Sequence, residues 1–284
     1  MQPLVSTQWL EEHLRDPSLR ILDCTCYLHP LPGGDMRAES GRADYEKGHV
    51  PGAAFADLIG DLSDPSSPLR FTLPDEGRFA MAMSRLGVGD GTRVVIYSGG
   101  SLTWAPRLWW MLRAFGFDEA YVLDGGWPKW KAEGRPVATG VEDYPPAAFR
   151  AQPRPGLFVG RDEVAAALED PQVVLVNALT PEQHAGTGGS DYGRPGRIPG
   201  SVNLPARDLI DPATMAYRPL PDLRERFAEA GVMDGRRVVA YCGGGIAASA
   251  DAMVLTMLGV RDVAVYDASL QEWAKDPNLP MDRD

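Results

Sequence analysis

The chain is poor in cysteine: three in 284 residues, Cys24, Cys26 and Cys242. Three cysteines cannot all pair, which excludes a disulfide-stapled fold and leads us to expect a reducing compartment, the cytoplasm. Long apolar runs are missing too, and none reaches the length of a membrane span. The opening Met1-Gln2-Pro3-Leu4-Val5-Ser6-Thr7 carries neither a basic start nor an apolar signal core, so export is not expected. Positive charge is in deficit, 28 Lys and Arg against 39 Asp and Glu, for a net charge of −11. A chain of that sign has no general attraction for nucleic acid or for an anionic membrane surface. A local cradle can override the global field, so a small anionic ligand stays open.

What the chain does have is a duplication. Gly87-Val88-Gly89-Asp90-Gly91-Thr92-Arg93-Val94-Val95-Ile96-Tyr97-Ser98-Gly99-Gly100 aligns without gaps with Gly231-Val232-Met233-Asp234-Gly235-Arg236-Arg237-Val238-Val239-Ala240-Tyr241-Cys242-Gly243-Gly244. Residue 87 meets 231 and residue 98 meets 242, a constant offset of 144. His49-Val50-Pro51-Gly52-Ala53 answers Arg197-Ile198-Pro199-Gly200-Ser201, and the segment from Val122 to Trp130 answers that from Val265 to Trp273. A repeat of this length is a duplicated domain, since solenoid periods are far shorter. The 44% hydrophobic content suffices for two cores.

Short apolar runs alternate with helical stretches in each copy. Residues 20–23, 93–97 and 120–123 read as strands in the first, and 173–176, 237–241 and 263–266 in the second. Runs apolar on both faces and separated by helices predict an α/β fold with a mainly parallel sheet covered on both sides. Between the copies, residues 139–156 are proline-rich and aperiodic, with Pro145, Pro146, Pro153 and Pro155 just after Pro136. They read as a linker between domains at 1–138 and 157–284.

Ligands of parallel sheets bind at the carboxyl ends of the strands, which is where Cys242 falls. The strand ending at Tyr241 delivers it into Gly243, Gly244 and Gly245, and Ile246, Ala247 and an alanine-rich helix follow. Glycines let successive N–H groups converge, and the helix N-terminus adds partial positive charge. A cysteine at that mouth is expected to be largely thiolate. Phosphate-handling loops of this kind carry an arginine six residues after the cysteine, whereas Ala248 stands here. Gly186-Thr187-Gly188-Gly189-Ser190 lacks a following Lys-Ser/Thr, and no G-x-S-x-G elbow surrounds Ser98, Ser101 or Ser190. Cys24 and Cys26 alternate on an apparent strand and so face opposite sides, which disfavours a shared metal; no metal and no cofactor are expected.

The Tyr-Cys-Gly loop, the paired His/Arg-Val/Ile-Pro-Gly elements and the Asp-x-x-x-x-x-Trp pieces together resemble the two-domain rhodanese family of thiosulfate and 3-mercaptopyruvate sulfurtransferases. The resemblance covers nearly the whole chain and implies two tandem rhodanese-like domains, the first silent because Ser98 replaces the cysteine. It implies a small sulfur donor, a Cys242 persulfide, and a cyanide, thiol or protein acceptor. The amides of Gly243, Gly244, Gly245, Ile246 and Ala247 would then hold the persulfide anion. The chain departs from the family where the donor is chosen. Gly243 and Gly244 replace basic or hydroxyl loop residues, and Leu179 and Gln183 replace donor-binding arginines. Substitute contacts are sought at Arg194, Arg197, His184 and His49. For Arg197 an ion pair is the competing reading, for His184 a polar loop role, and for His49 a cap on the Val50-Pro51-Gly52 turn. Trp104, beside the Ser98 loop, is expected to help close the interdomain cleft. A persulfide carrier fed by a partner enzyme is the rival to a turnover enzyme.

Overall fold

A computed structural model describes residues 2–31 and 36–284. In the first copy the strands are β1 (Leu4–Val5), β2 (Leu19–Asp23), β3 (Cys26–Pro30), β4 (Met36–Ser40), β5 (Ala53–Phe55), β6 (Arg93–Tyr97) and β7 (Ala120–Leu123). Its helices are α1 (Thr7–His13), α2 (Arg42–Lys47), α3 (Glu76–Arg85), α4 (Trp104–Ala114) and α5 (Gly126–Ala132). The second copy has β8 (Phe158–Val159), β9 (Val173–Asn177), β10 (Val202–Asn203), β11 (Arg237–Tyr241) and β12 (Val263–Tyr266). With them run α6 (Arg161–Ala167), α7 (Pro181–Ala185), α8 (Leu220–Glu229), α9 (Ile246–Met257) and α10 (Leu270–Trp273).

Each copy forms a five-stranded parallel sheet, ordered β1-β7-β6-β2-β5 in the first and β8-β12-β11-β9-β10 in the second. The central strands β6 and β11 are Val-rich and buried over their last four residues, as strands covered on both faces must be. Both end in a tyrosine that anchors the repeated turn. Tyr97 Oη accepts the Val50 N–H at 3.1 Å, and Tyr241 Oη accepts the Ile198 N–H at 3.0 Å. The Val/Ile-Pro-Gly elements are therefore framework, fastened to the middle of each sheet.

Cys24 and Cys26 do not lie on one strand. β2 stops at Asp23, whose carboxylate takes both the N–H and the Oγ1–H of Thr25, at 2.8 and 2.5 Å. The chain resumes as β3 at Cys26, which pairs antiparallel with β4 outside the main sheet. This turn defeats the alternation expected of a continuous strand, and both cysteines end in the same apolar cluster.

That cluster is shared between the two copies. It runs from Leu22 and Ile96 through α4 and α9 to Val238 and Val265, while smaller clusters back the outer face of each sheet. α4 and α9 pack on each other across the boundary. Ten of the eleven α4 residues and nine of the twelve α9 residues are buried, the pattern of central helices rather than amphipathic surface ones. Residues 140–156 form neither helix nor strand and strap the first copy. Tyr144 Oη receives the Ile21 N–H at 2.9 Å, and Arg154 grips Asp118 through two bonds of 2.7 Å.

Candidate active site

Cys242 follows β11 directly, and Gly245, at φ +75°, turns the chain into α9. A Cβ on Gly245 would sit 2.6 Å from the Asp267 carbonyl oxygen, so the turn requires both glycine's left-handed conformation and its lack of a side chain. Beneath the loop lies Ser269, wholly buried at φ +53°. Its Oγ accepts the N–H groups of Cys242 and Gly245, each at 3.1 Å, and donates to Tyr266 O at 2.7 Å. The Gly245 amide is thus engaged below the loop, contrary to the expectation that it faces a ligand. Gly243, Gly244, Ile246 and Ala247 do line a cavity together with Cys242.

This cavity has a volume of about 400 Å³ and opens between the two copies. Cys242, only 2% exposed, lies in its lining. Leu28, Phe71 and Trp104 from the first copy and Leu179 from the second make the wall apolar. Trp104 therefore lies at the cleft, as expected from its place beside the Ser98 loop. Ser98 itself is fully buried, donates to Ser101 O at 2.8 Å, and is not part of the lining.

Gly243 and Gly244 stand where a side chain would meet its neighbours. A Cβ on Gly243 would fall 2.2 Å from the Tyr192 hydroxyl, and one on Gly244 would fall 3.0 Å from Gln271 Nε2. Tyr192 and Gln271 thus occupy the space that side chains at 243 and 244 would need. Burial first, and then the charge of Cys242, push the Tyr192 phenol up to about 12, so it stays neutral at physiological pH. Leu179 lines the cavity; Gln183 does not, and donates to Ser190 O at 3.2 Å. Tyr192, Gln271 and Ser269 were not identified from sequence. Ser269 and Gln271 do lie inside the repeated Asp-x-x-x-x-x-Trp piece, which was the available signal.

None of the four substitute donor contacts lines the cavity. His49 is wholly buried in the first copy, stacked on the Tyr45 ring at 4.2 Å, with Nδ1–H donating to Tyr45 O at 2.8 Å. Its backbone pairs with Ala138, so it ties the repeated turn to the last residue before the linker. Arg194 donates to the carbonyls of Trp273, Ala274, Asp276 and Leu279 at 2.6–3.0 Å, closing the C-terminal end of α10. Arg197 pairs with Asp284 at 2.8 Å and donates to His184 O at 3.3 Å. His184 is pushed down to about 4, by burial first and then by the Arg197 charge, so it is neutral at pH 7. Sequence neighbours of the turn and the loop are here committed to the C-terminal segment, which no periodicity revealed.

The model of the rhodanese-like domain matches residues 6–133 and again residues 160–276. The chain belongs to the rhodanese family. Among its relatives, the human 3-mercaptopyruvate sulfurtransferase is 38% identical over 278 residues, covering 95% of this chain and 91% of that protein. The mouse thiosulfate sulfurtransferase is 36% identical over 282 residues, with coverage of 95% and 91%. The crystal structure of SseA from Escherichia coli, described among 3-mercaptopyruvate sulfotransferases, superposes with a TM-score of 0.83 at 31% identity. It covers 95% of this rhodanese and 99% of SseA. Relatives thus carry the names of both donors.

Proposed function

We propose that this rhodanese moves a sulfur atom from thiosulfate or 3-mercaptopyruvate to cyanide or a thiol through a persulfide on Cys242. The observation that carries the reading is the placing of Cys242 and the N-terminal turn of α9 on the lining of one interdomain cavity. The Cys242 thiolate attacks the donor's outer sulfur. With thiosulfate the S–S bond breaks and its electron pair leaves on sulfite. With 3-mercaptopyruvate the C–S bond breaks, the pair stays on carbon, and that carbon takes the thiol proton to give pyruvate. Either route leaves a terminal sulfur anion within reach of the amides of Gly243, Gly244, Ile246 and Ala247, at the positive end of a twelve-residue helix. Cyanide or a thiolate then attacks the terminal sulfur and returns Cys242 as thiolate. Ser98, buried and bonded to Ser101, takes no part in the covalent step.

Cys242→Ser should abolish cyanide-dependent thiocyanate formation, because serine without a base is a poor nucleophile. Substantial residual turnover would refute Cys242 as the carrier. The second reading, a persulfide carrier charged by a partner, gains from the engagement of Arg194 and Arg197 elsewhere. Steady-state thiocyanate formation from a small donor and cyanide, with no partner protein present, decides against it; thiocyanate that stops at one equivalent per Cys242 decides for it. Three free thiols fit a reducing compartment, the cytoplasm.

A further inference from the structure

The segment 69–73 of the first copy reaches across to the second and is held at both its ends. Arg70 N–H donates to Gln271 Oε1 at 3.1 Å, and Gln271 Nε2–H returns to Arg70 O at 2.8 Å. The N–H of Gln271 itself donates to Gly243 O at 2.8 Å, so one residue ties Arg70 to the loop of Cys242. Further along, Leu73 N–H donates to Asp267 Oδ2 at 2.7 Å, and Arg107 Nη2–H donates to Phe71 O at 2.6 Å. Phe71 is held at φ +59°, a conformation a bulky side chain adopts only when its surroundings impose it, with its ring 5.0 Å from that of Trp104. The backbone of Arg70 is therefore tied to the loop of Cys242, and Arg70 lines the same cavity. Among the described residues it is the only arginine or lysine in that lining.

We propose that Arg70 binds the carboxylate of a small mercapto-acid donor whose sulfur lies at Cys242, so that the first domain selects the donor for the second. This rests on the sulfurtransferase reading and assigns its donor class. A guanidinium matches a planar carboxylate through two parallel N–H···O bonds. The apolar side chains of Leu28, Phe71, Trp104 and Leu179 in the same lining accept the carbon chain between carboxylate and sulfur. The guanidinium takes over at this site the role that Leu179 and Gln183 cannot fill.

Arg70→Ala keeps the clasp to Gln271, which uses only the backbone of residue 70, and Arg70→Lys keeps the charge without the fork. Alkylation of the peptide bearing Cys242 by iodoacetate and by iodoacetamide reads the anchor without any sulfur transfer. The iodoacetate-to-iodoacetamide rate ratio should fall about tenfold or more in Arg70→Ala with the iodoacetamide rate unchanged, and Arg70→Lys should restore part of it. KM for 3-mercaptopyruvate should rise about tenfold to a hundredfold in Arg70→Ala, with kcat changed far less. An unchanged ratio and KM would overturn the proposal, as would a rise in KM for thiosulfate alone. Failure of every donor to load Cys242 would instead overturn the sulfurtransferase reading, while the alkylation ratio would still report on Arg70.

Discussion

Asp251 lies wholly buried on α9, and neither of its carboxylate oxygens has a hydrogen-bond partner among the described residues. Burial holds its carboxyl well above the usual value of 3.8. The sign of the consequence follows from linkage. As pH rises through 3.8 the unfolded carboxyl ionises while the folded one stays protonated, so the unfolded state is favoured and stability is lost from about pH 4 upward. Asp251→Asn should flatten the dependence of Tm on pH between about pH 4 and 7. The difference from the parent should be smallest near pH 4 and grow toward neutrality; parallel curves would contradict the assignment. At this scale sequence reading recovered the groups with a local signature. Cys242 stands out because a strand end, three glycines and a helix start are adjacent along the chain. Arg70, Tyr192 and Gln271 carry no such signature, since their meaning comes from contacts with residues far away in sequence, 201 positions in the case of Arg70 and Gln271.

Strands and helices were the most legible elements, because β6, β11 and their neighbours are short, Val-rich and apolar on both faces. Cys24 and Cys26 escaped because a single Asp23–Thr25 turn ends one strand and starts another, and a period-two pattern does not register such a break. Helix packing across the boundary was not legible either. α4 brings Arg107, 1% exposed, against Asp267 at 2.6 Å and over the Phe158 ring at 4.7 Å. Asp267 also receives Leu73, so this one pair joins α4, the segment 69–73 and the turn after β12. Arg107→Leu would strand the carboxylate in a mostly buried place. It should cost about 3 kcal/mol of unfolding free energy, read from denaturant midpoints at constant slope. A cost below about 1 kcal/mol would show that the pair adds little to the joint.

For the whole molecule, the duplication predicted two domains with a core each, and the structure joins them through one shared cluster. The two-domain arrangement thereby gains a chemical purpose. In the proposed mechanism the second copy supplies the nucleophile and the amides around it, and the first supplies much of the apolar wall and the cation beside it. The departures expected at Gly243, Gly244, Leu179 and Gln183 leave the second copy without a cation of its own in the cavity lining. They become intelligible once Tyr192 and Gln271 are seen to fill the vacated space and Arg70 to arrive from the other copy. The central claim is that Cys242 carries the sulfur, and intact mass after incubation with 3-mercaptopyruvate or thiosulfate tests it most directly. The account predicts one added sulfur atom on the peptide bearing Cys242, with Cys24 and Cys26 unmodified and the addition removed by cyanide. An unchanged mass with both donors, or sulfur carried on Cys24 or Cys26 instead, would contradict it.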